Sequence, residues 1–228
     1  MSAESGLEAA RVLMVGGQSR NVGKTALVVD LIRAFPEAGW LAMKITQYGH
    51  GVCAVAGGEC DCAPQDHAEA LNEETDAGGR SDTSRFLAAG ARRALWLRTK
   101  EGRLAEALPL MRRELGPREA GAAANVIVES NSLRGLLEPR LYLVVLDPAV
   151  EDFKESARRF LDRADAFVLR RRPRGEWPAV GKQLFERRPV CVQGMGEAAP
   201  GELLELVRER FFGCAGMAHG AVRRSVSS

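Results

Sequence analysis

The densest concentration of chemistry in the chain is a glycine loop carrying a lysine and a threonine. Residues 11–34 read RVLMVGGQSRNVGKTALVVDLIRA. The apolar run Val12 to Val15 ends in Gly16-Gly17, a polar loop follows, then Gly23-Lys24-Thr25 and a helical pattern from Ala26 to Ala34. Strand, glycine loop, Lys-Thr and helix is the layout of a phosphate-binding loop. Gly17, Gln18, Ser19, Arg20, Asn21, Val22, Gly23, Lys24 and Thr25 would form it. Loop N–H groups turned inward, with the positive end of the following helix, make a nest for polyphosphate. Lys24 would reach the terminal phosphates as a point charge, and Thr25 would set its hydroxyl on Mg²⁺. GTP or ATP is the expected nucleotide. The stretch between Gly17 and Gly23 is one residue longer than in the usual G-x-x-x-x-G-K-[ST] motif. The plainer alternative is a glycine turn that happens to carry a lysine. Arg20 could touch the terminal phosphate as an arginine finger does, or face solvent.

More polar groups fall where a parallel sheet binds ligands, at the carboxyl ends of its strands. Lys44 lies near the end of a second strand, Glu129 ends Asn125-Val-Ile-Val-Glu129, and Asp82 opens a helix. Phosphate chemistry needs Mg²⁺ to offset charge, and oxygen ligands to hold the ion. Thr25, Asp82 and Glu129 suit that task, while Lys44 suits a second anion beside the nucleotide. Lys24, Lys44 and Glu129 are the catalytic candidates. Glu129 could instead be a helix cap or surface charge, and Asp82 only a cap. Asp147, before Pro148, reads as a turn former, and Asp30 as structural. The run Arg170-Arg171-Arg172, with Arg174, reads as a solvated loop, with a phosphate- or partner-binding role as the alternative.

A second cluster is His50, Cys53, Cys60, Cys62 and His67. Thiolate and imidazole together are zinc-type ligands, and four of them can order a loop that lacks a core. Cys53, Cys60, Cys62 and His67 are the candidate Zn²⁺ set. Their spacing is not a standard zinc-finger spacing, and an irregular loop with free thiols is the alternative. Cys191 reads as a buried strand residue, and Cys214 falls in the tail.

The elements that must position these groups alternate along the chain. Strands are expected at Arg11 to Val15, Trp40 to Ile45, Ala94 to Leu97, Asn125 to Glu129, Leu141 to Leu146, Ala166 to Leu169 and Pro189 to Val192. Helices are expected at Lys24 to Ala34, Thr83 to Ala89, Leu104 to Leu115, Phe153 to Leu161 and Gly201 to Phe211, with a short one near Pro64 to Asn72. Continuous apolar strands between helices imply an α/β fold: a mostly parallel sheet with helices on both faces, in three layers, as in P-loop NTPases. The 228 residues suggest one domain, over 1–212, with an insertion at about 46–80 and a flexible tail over 213–228. A net charge of +2 implies no general attraction to nucleic acid or membrane. The N-terminus is not a secretory signal and no stretch is apolar enough to span a bilayer, so a cytoplasmic location is expected.

The loop Gly17-Gln-Ser-Arg-Asn-Val-Gly-Lys-Thr25 resembles that of dethiobiotin synthetase and the cobyrinic acid amidase group. In dethiobiotin synthetase a lysine ends the second strand, an aspartate follows a loop and a glutamate ends a later strand. Lys44, Asp82 and Glu129 match those places in order. A second resemblance covers roughly residues 11–130. Met43-Lys44-Ile-Thr-Gln-Tyr-Gly-His-Gly51, Ser81-Asp82-Thr83, Ala89-Gly90-Ala91 and Val126-Ile-Val-Glu129 are similar to the molybdopterin-guanine dinucleotide biosynthesis protein B family. That likeness implies a GTP-binding adapter in molybdenum cofactor synthesis, with molybdenum-cofactor enzymes as partners. The chain departs from the family in loop spacing and in Ser130, and it carries no Asn-Lys-x-Asp guanine-reading motif. Homodimers are common in this P-loop class.

Three readings follow. One is a Mg²⁺-dependent nucleoside triphosphatase acting as an adapter. Another is an ATP-dependent ligase resembling dethiobiotin synthetase, with Lys44 on a carboxylate or carbamate. The last is a metal-handling switch in which nucleotide state gates the cysteine loop.

Overall fold

The computed structural model describes residues 10–48, 69–115, 124–173, 175, 177 and 180–213. Among the described residues, eight strands form one sheet in the order β3-β4-β2-β5-β1-β6-β7-β8. They are β1 (Arg11–Gly17), β2 (Leu41–Tyr48), β3 (Glu69–Glu73), β4 (Arg93–Lys100), β5 (Asn125–Glu129), β6 (Leu141–Leu146), β7 (Ala166–Leu169) and β8 (Val190–Val192). Every pairing is parallel except β3 with β4. The α-helices are α1 (Lys24–Ala34), α2 (Asp82–Ala88), α3 (Leu108–Leu115), α4 (Glu155–Arg158), α5 (Lys182–Arg187) and α6 (Gly201–Val207).

The central strands β1, β5 and β6 are apolar through their interior positions because both faces of the sheet are covered. In β1, Leu13 and Val15 pack on one side with Leu27, Leu31 and Ile32 of α1, Phe86 of α2 and Leu203 of α6. Val12 and Met14 pack on the other with Met111 and Leu115 of α3, and with Phe160. Burying each such side chain contributes about 1.5–3 kcal/mol, so this double burial holds β1 at the centre of the sheet. The three-layer α/β architecture expected of the sequence is the one observed: a mostly parallel sheet with helices on both faces.

Several local expectations need correction. The stretch near Pro64 to Asn72 is not helical where it is described: Glu69–Glu73 pairs antiparallel with β4, Leu71 opposite Leu97. Edge pairing overrides weak helical propensity, and the charged ends of this strand suit an exposed edge. The segment set off at 46–80 also begins inside the sheet, since Thr46, Gln47 and Tyr48 continue β2. The helix expected over Phe153 to Leu161 shrinks to α4 and a 3-10 turn, Leu161–Arg163. The helix α5 was not foreseen, and α6 continues into a π-helical turn, Arg208–Phe212.

The helices α1 and α2 begin differently. Ser81 caps α2, accepting the Ser84 amide at 2.9 Å. Glu74 accepts the hydroxyls of Ser81, Thr83 and Ser84 at 2.8, 3.0 and 3.0 Å, and these bonds, Ser81 foremost, hold its carboxyl down at about 2. That knot fixes Asp82. The first helix, α1, has no capping side chain and no acid in its first turn, and Gly23 precedes it at φ 101°. Its opening N–H groups stay available to the cleft.

Candidate functional site

The loop from Gly17 to Thr25 is braced from three directions. Gly17 exchanges two bonds with the Asn131 amide: its N–H donates to Oδ1 at 2.7 Å and its carbonyl accepts from Nδ2 at 2.9 Å. Gln18 is buried and works inward, donating to the Val150 carbonyl at 2.5 Å and accepting the Asp147 amide at 2.9 Å. From the far side Arg170 reaches across, donating to Val22 O at 3.0 Å and Gly23 O at 2.5 Å. Arg170 is itself held by Gln193 Oε1 at 3.1 Å, and Gln193 donates to Asp30 at 2.6 Å.

Both motif glycines are required by close approach. A Cβ on Gly23 would lie 2.4 Å from the Arg170 guanidinium, besides the strain of its positive φ. A Cβ on Gly17 would lie 2.8 Å from Lys24 Cγ, so the lysine stem packs on bare backbone.

The charged groups converge because their strands are neighbours. The sheet puts Glu129 beside Val15 on one side and Lys44 on the other. Glu129 is 5 % exposed, and its carboxylate forks. One oxygen accepts Thr25 Oγ1 at 2.6 Å, and the other faces Lys44 Nζ at 3.3 Å. Lys44 also pairs with Asp82. Lys24 folds back onto its own loop, donating to Ser19 O at 2.6 Å.

These surroundings act on the two lysines in opposite senses. Burial pushes Lys24 down to about 8; Glu129 opposes the shift, while Lys154 and Lys44 add to it. Burial also works against the Lys44 ammonium, but Glu129 and Asp82 outweigh it, and its pKa is raised. The difference is one of partners: Lys44 has two carboxylates in contact, whereas Lys24 has a carbonyl.

All of these groups open on one cleft of about 1480 Å³. Lys24, Thr25, Lys44, Asp82 and Glu129 line it, as do Arg20, Asn21 and Gly23. A smaller cavity of about 340 Å³ by Leu71, Leu95 and Leu110 contains none of these residues. Not every candidate in the loop faces the cleft: Gln18, Ser19 and Val22 are buried and brace the fold. Asp147 forms a turn, accepting the Ala149 amide at 2.9 Å. Cys191 is a buried free thiol, pushed up to about 11 by burial. His50, Cys53, Cys60, Cys62, His67 and Cys214 lie outside the described residues, among which no group of three or more His, Cys, Asp or Glu could hold a metal.

One reading is overturned. Arg170 is not part of a solvated run; it is 4 % exposed and clamps the loop. It directly follows β7, at the same end of the sheet as the loop, so its side chain turns inward. Asn131, Lys154 and Gln193 were also missed. Gln193 directly follows β8, and Asn131 lies two residues beyond β5. Applying to every strand the strand-end rule that picked out Lys44 and Glu129 would have found Arg170, Gln193 and Asn131. Lys154, at the start of α4, has no such signal.

No helix among the described residues is long and apolar enough to cross a membrane. No protein-family model matches the chain, and no curated protein matches it. Among solved structures it is similar to the "apo" form of LpxK from Aquifex aeolicus in complex with ATP. Identity is 16 %, the TM-score is 0.43, and the match covers 79 % of this chain and 53 % of that one. The chain thus spans about half the length of that structure. At that level the likeness transfers neither residues nor an activity.

Proposed function

We propose that the protein binds a nucleoside triphosphate with Mg²⁺ and hydrolyses it or transfers its terminal phosphoryl group. The observation that carries this is the Thr25–Glu129–Lys44–Asp82 chain of contacts beside the Gly17–Thr25 loop, in one open cleft. Loop amides and the uncapped end of α1 receive the phosphates. Lys24 exchanges the Ser19 carbonyl for a phosphate oxygen. Lys44 supplies a second positive charge and is held in line by its two carboxylates.

The residues fit a magnesium ion. The Thr25 hydroxyl and Glu129 Oε2, 2.6 Å apart, are hard oxygen donors. With Asp82 engaged by Lys44, they make a partial set that relies on nucleotide phosphates, as Mg²⁺ sites commonly do. When bound, the ion neutralises charge developing on the phosphate oxygens. The test is calorimetry of the purified protein with ATP and with GTP, each with Mg²⁺. Micromolar affinity for either supports the reading, and no heat from both would end it.

The lowered pKa of Lys24 gives a second test. In the free protein the Lys24 ammonium loses its proton near pH 8, and phosphates beside it favour the charged form. Binding therefore takes up a proton above pH 8, and affinity is full below that pH and falls as pH rises through it. Calorimetry at about pH 8.5 in buffers of different ionisation enthalpy measures that uptake. It is expected to vanish in Lys24→Met; uptake unchanged in that variant would assign the proton elsewhere.

The finer reading is a nucleoside triphosphatase serving as an adapter in molybdenum cofactor biosynthesis. It is supported by the ordered match through Lys44, Asp82-Thr83, Ala89-Gly90-Ala91 and Glu129. The size of the cleft favours a second reading, the ATP-dependent ligase, because it leaves room for a small acid beside Lys44. ATP turnover that requires an added small acid would select the ligase; turnover without one would select the adapter.

A further inference from the structure

The cleft is larger than a nucleotide alone requires. Small-ligand sites run to roughly 300–1,000 Å³, against about 1480 Å³ here. The surplus is bounded by α4 and its 3-10 turn, Leu161–Arg163, together with the 3-10 turn Ser132–Gly135. The wall they form is basic over an aromatic floor.

Phe160 is the centre of that floor. The guanidinium carbons of Arg159 and Arg163 each lie 5.5 Å from its ring centroid. Gly135 closes on the same ring, where a Cβ would sit 2.9 Å from Phe160 Cζ. Leu136, 39 % exposed, continues the apolar surface into the cleft.

An ordinary solvated helix face would arrange these charges differently. Glu155 stands four residues before Arg159, and the Arg159 amide bonds the Glu155 carbonyl at 2.9 Å, so a side-chain pair is within helical reach. No such pair forms; Arg159 lies over Phe160 instead, and Arg163, of like charge, lies over the same ring. Neither arginine has an ion-pair partner among the described residues. Lys154 carries the positive charge on toward the loop. Its amide donates to Gln18 O at 2.9 Å, its side chain lines the same cleft, and it also has no ion-pair partner among the described residues. Glu101 and Glu155 line the same cleft, and Asp152 and Glu101 act on the Lys154 ammonium only from beyond ion-pair distance.

We propose that Arg159, Arg163 and Lys154 bind the anionic group of a second, acidic substrate, seated over Phe160 beside the nucleotide. The ligand chemistry is an oxyanion, either phosphate or carboxylate, whose charge two guanidinium forks and an ammonium would share. The proposal rests on the nucleotide reading for its place in the reaction, since that makes this ligand the second to bind.

The test uses the full-length protein saturated with Mg²⁺ and a non-hydrolysable triphosphate analogue. Inorganic phosphate and succinate are titrated separately while amide and arginine Nε–H NMR signals of residues 154–163 are followed. Saturable shifts are expected with at least one anion, and the tighter of the two identifies the source as a phosphorylated compound or a carboxylic acid. The pair Arg159→Gln and Arg163→Gln, both at exposed positions, should weaken that binding by about tenfold or more. Absence of shifts with both anions, or equal affinity in the double variant, overturns the proposal. Failure of the analogue to bind would instead sink the nucleotide reading, and phosphate titrated into Lys24→Ala protein then reads the bay alone.

Discussion

Lys24→Ala is expected to weaken binding of the Mg²⁺ triphosphate by about a hundredfold while leaving the protein at least as heat-stable as before. The two halves of this expectation have one cause. The Lys24 ammonium is largely desolvated, and without ligand its only hydrogen bond in the loop is to the Ser19 carbonyl at 2.6 Å. Its folded pKa, about 8, lies below the ordinary 10.5. Between those values the unfolded chain binds more protons, so stability rises with pH across that window, and the penalty is felt in full below about pH 8. Alanine removes the penalty at pH 7 together with one hydrogen bond worth about 1 kcal/mol. The triphosphate, by contrast, loses a positive charge in a poorly hydrated pocket, for which about 2–5 kcal/mol is usual. Arginine should not rescue binding, because the stem runs against Gly17 and a broader head has no room to turn. Thermal melts with and without nucleotide, alongside calorimetry, check both halves. A variant that binds as well as the native protein would remove Lys24 from the site.

Arg170→Met is expected to lower stability by about 3 kcal/mol and to reduce nucleotide affinity with it. Arg170 satisfies two loop carbonyls and the Gln193 amide oxygen from a position 4 % exposed. Methionine fills similar space but donates nothing. Val22 O and Gln193 Oε1 would lose their donor, each at about 1–3 kcal/mol if no water replaces it, while Gly23 O keeps the Leu27 amide at 3.1 Å. Part of that cost is offset, because burial disfavours the guanidinium: it lowers the Arg170 pKa despite the pull of Asp30 and Asp147. Lysine should recover little, since a single ammonium cannot span both carbonyls and the amide. Urea unfolding should give a lower midpoint with an unchanged slope. The loss of affinity should persist at temperatures where the variant is fully folded, because the carbonyls Arg170 holds belong to the two loop residues that immediately precede α1. Native stability in this variant would mean that the clamp is dispensable.

Most of the architecture can be read from local pattern. Buried parallel strands announce themselves as apolar runs, and Val12 to Val15, Val126 to Val128 within Asn125 to Glu129, and Leu141 to Leu146 all fall in the sheet as expected. Short elements fare worse. The strand Glu69–Glu73 has no pattern of its own and exists because β4 offers an edge to pair with. The four-residue helix α4 lies where a longer one was expected.

The sequence by itself determined the strand–loop–helix, the type of sheet, and the candidates Lys24, Thr25, Lys44, Asp82 and Glu129, because each depends on periodicity or on a residue's place at a strand end. Only the tertiary structure decided which of these touch. The strand order 4-2-5-1-6 sets Lys44 and Glu129 side by side and Glu129 against Thr25, and strand order depends on how crossovers pack rather than on any local run of residues. The same holds for Arg170, which is 147 residues from the glycine it clamps. Its neighbours in sequence mark it as one charge in a basic run; only the burial of β7 beside β6 turns it inward onto the loop.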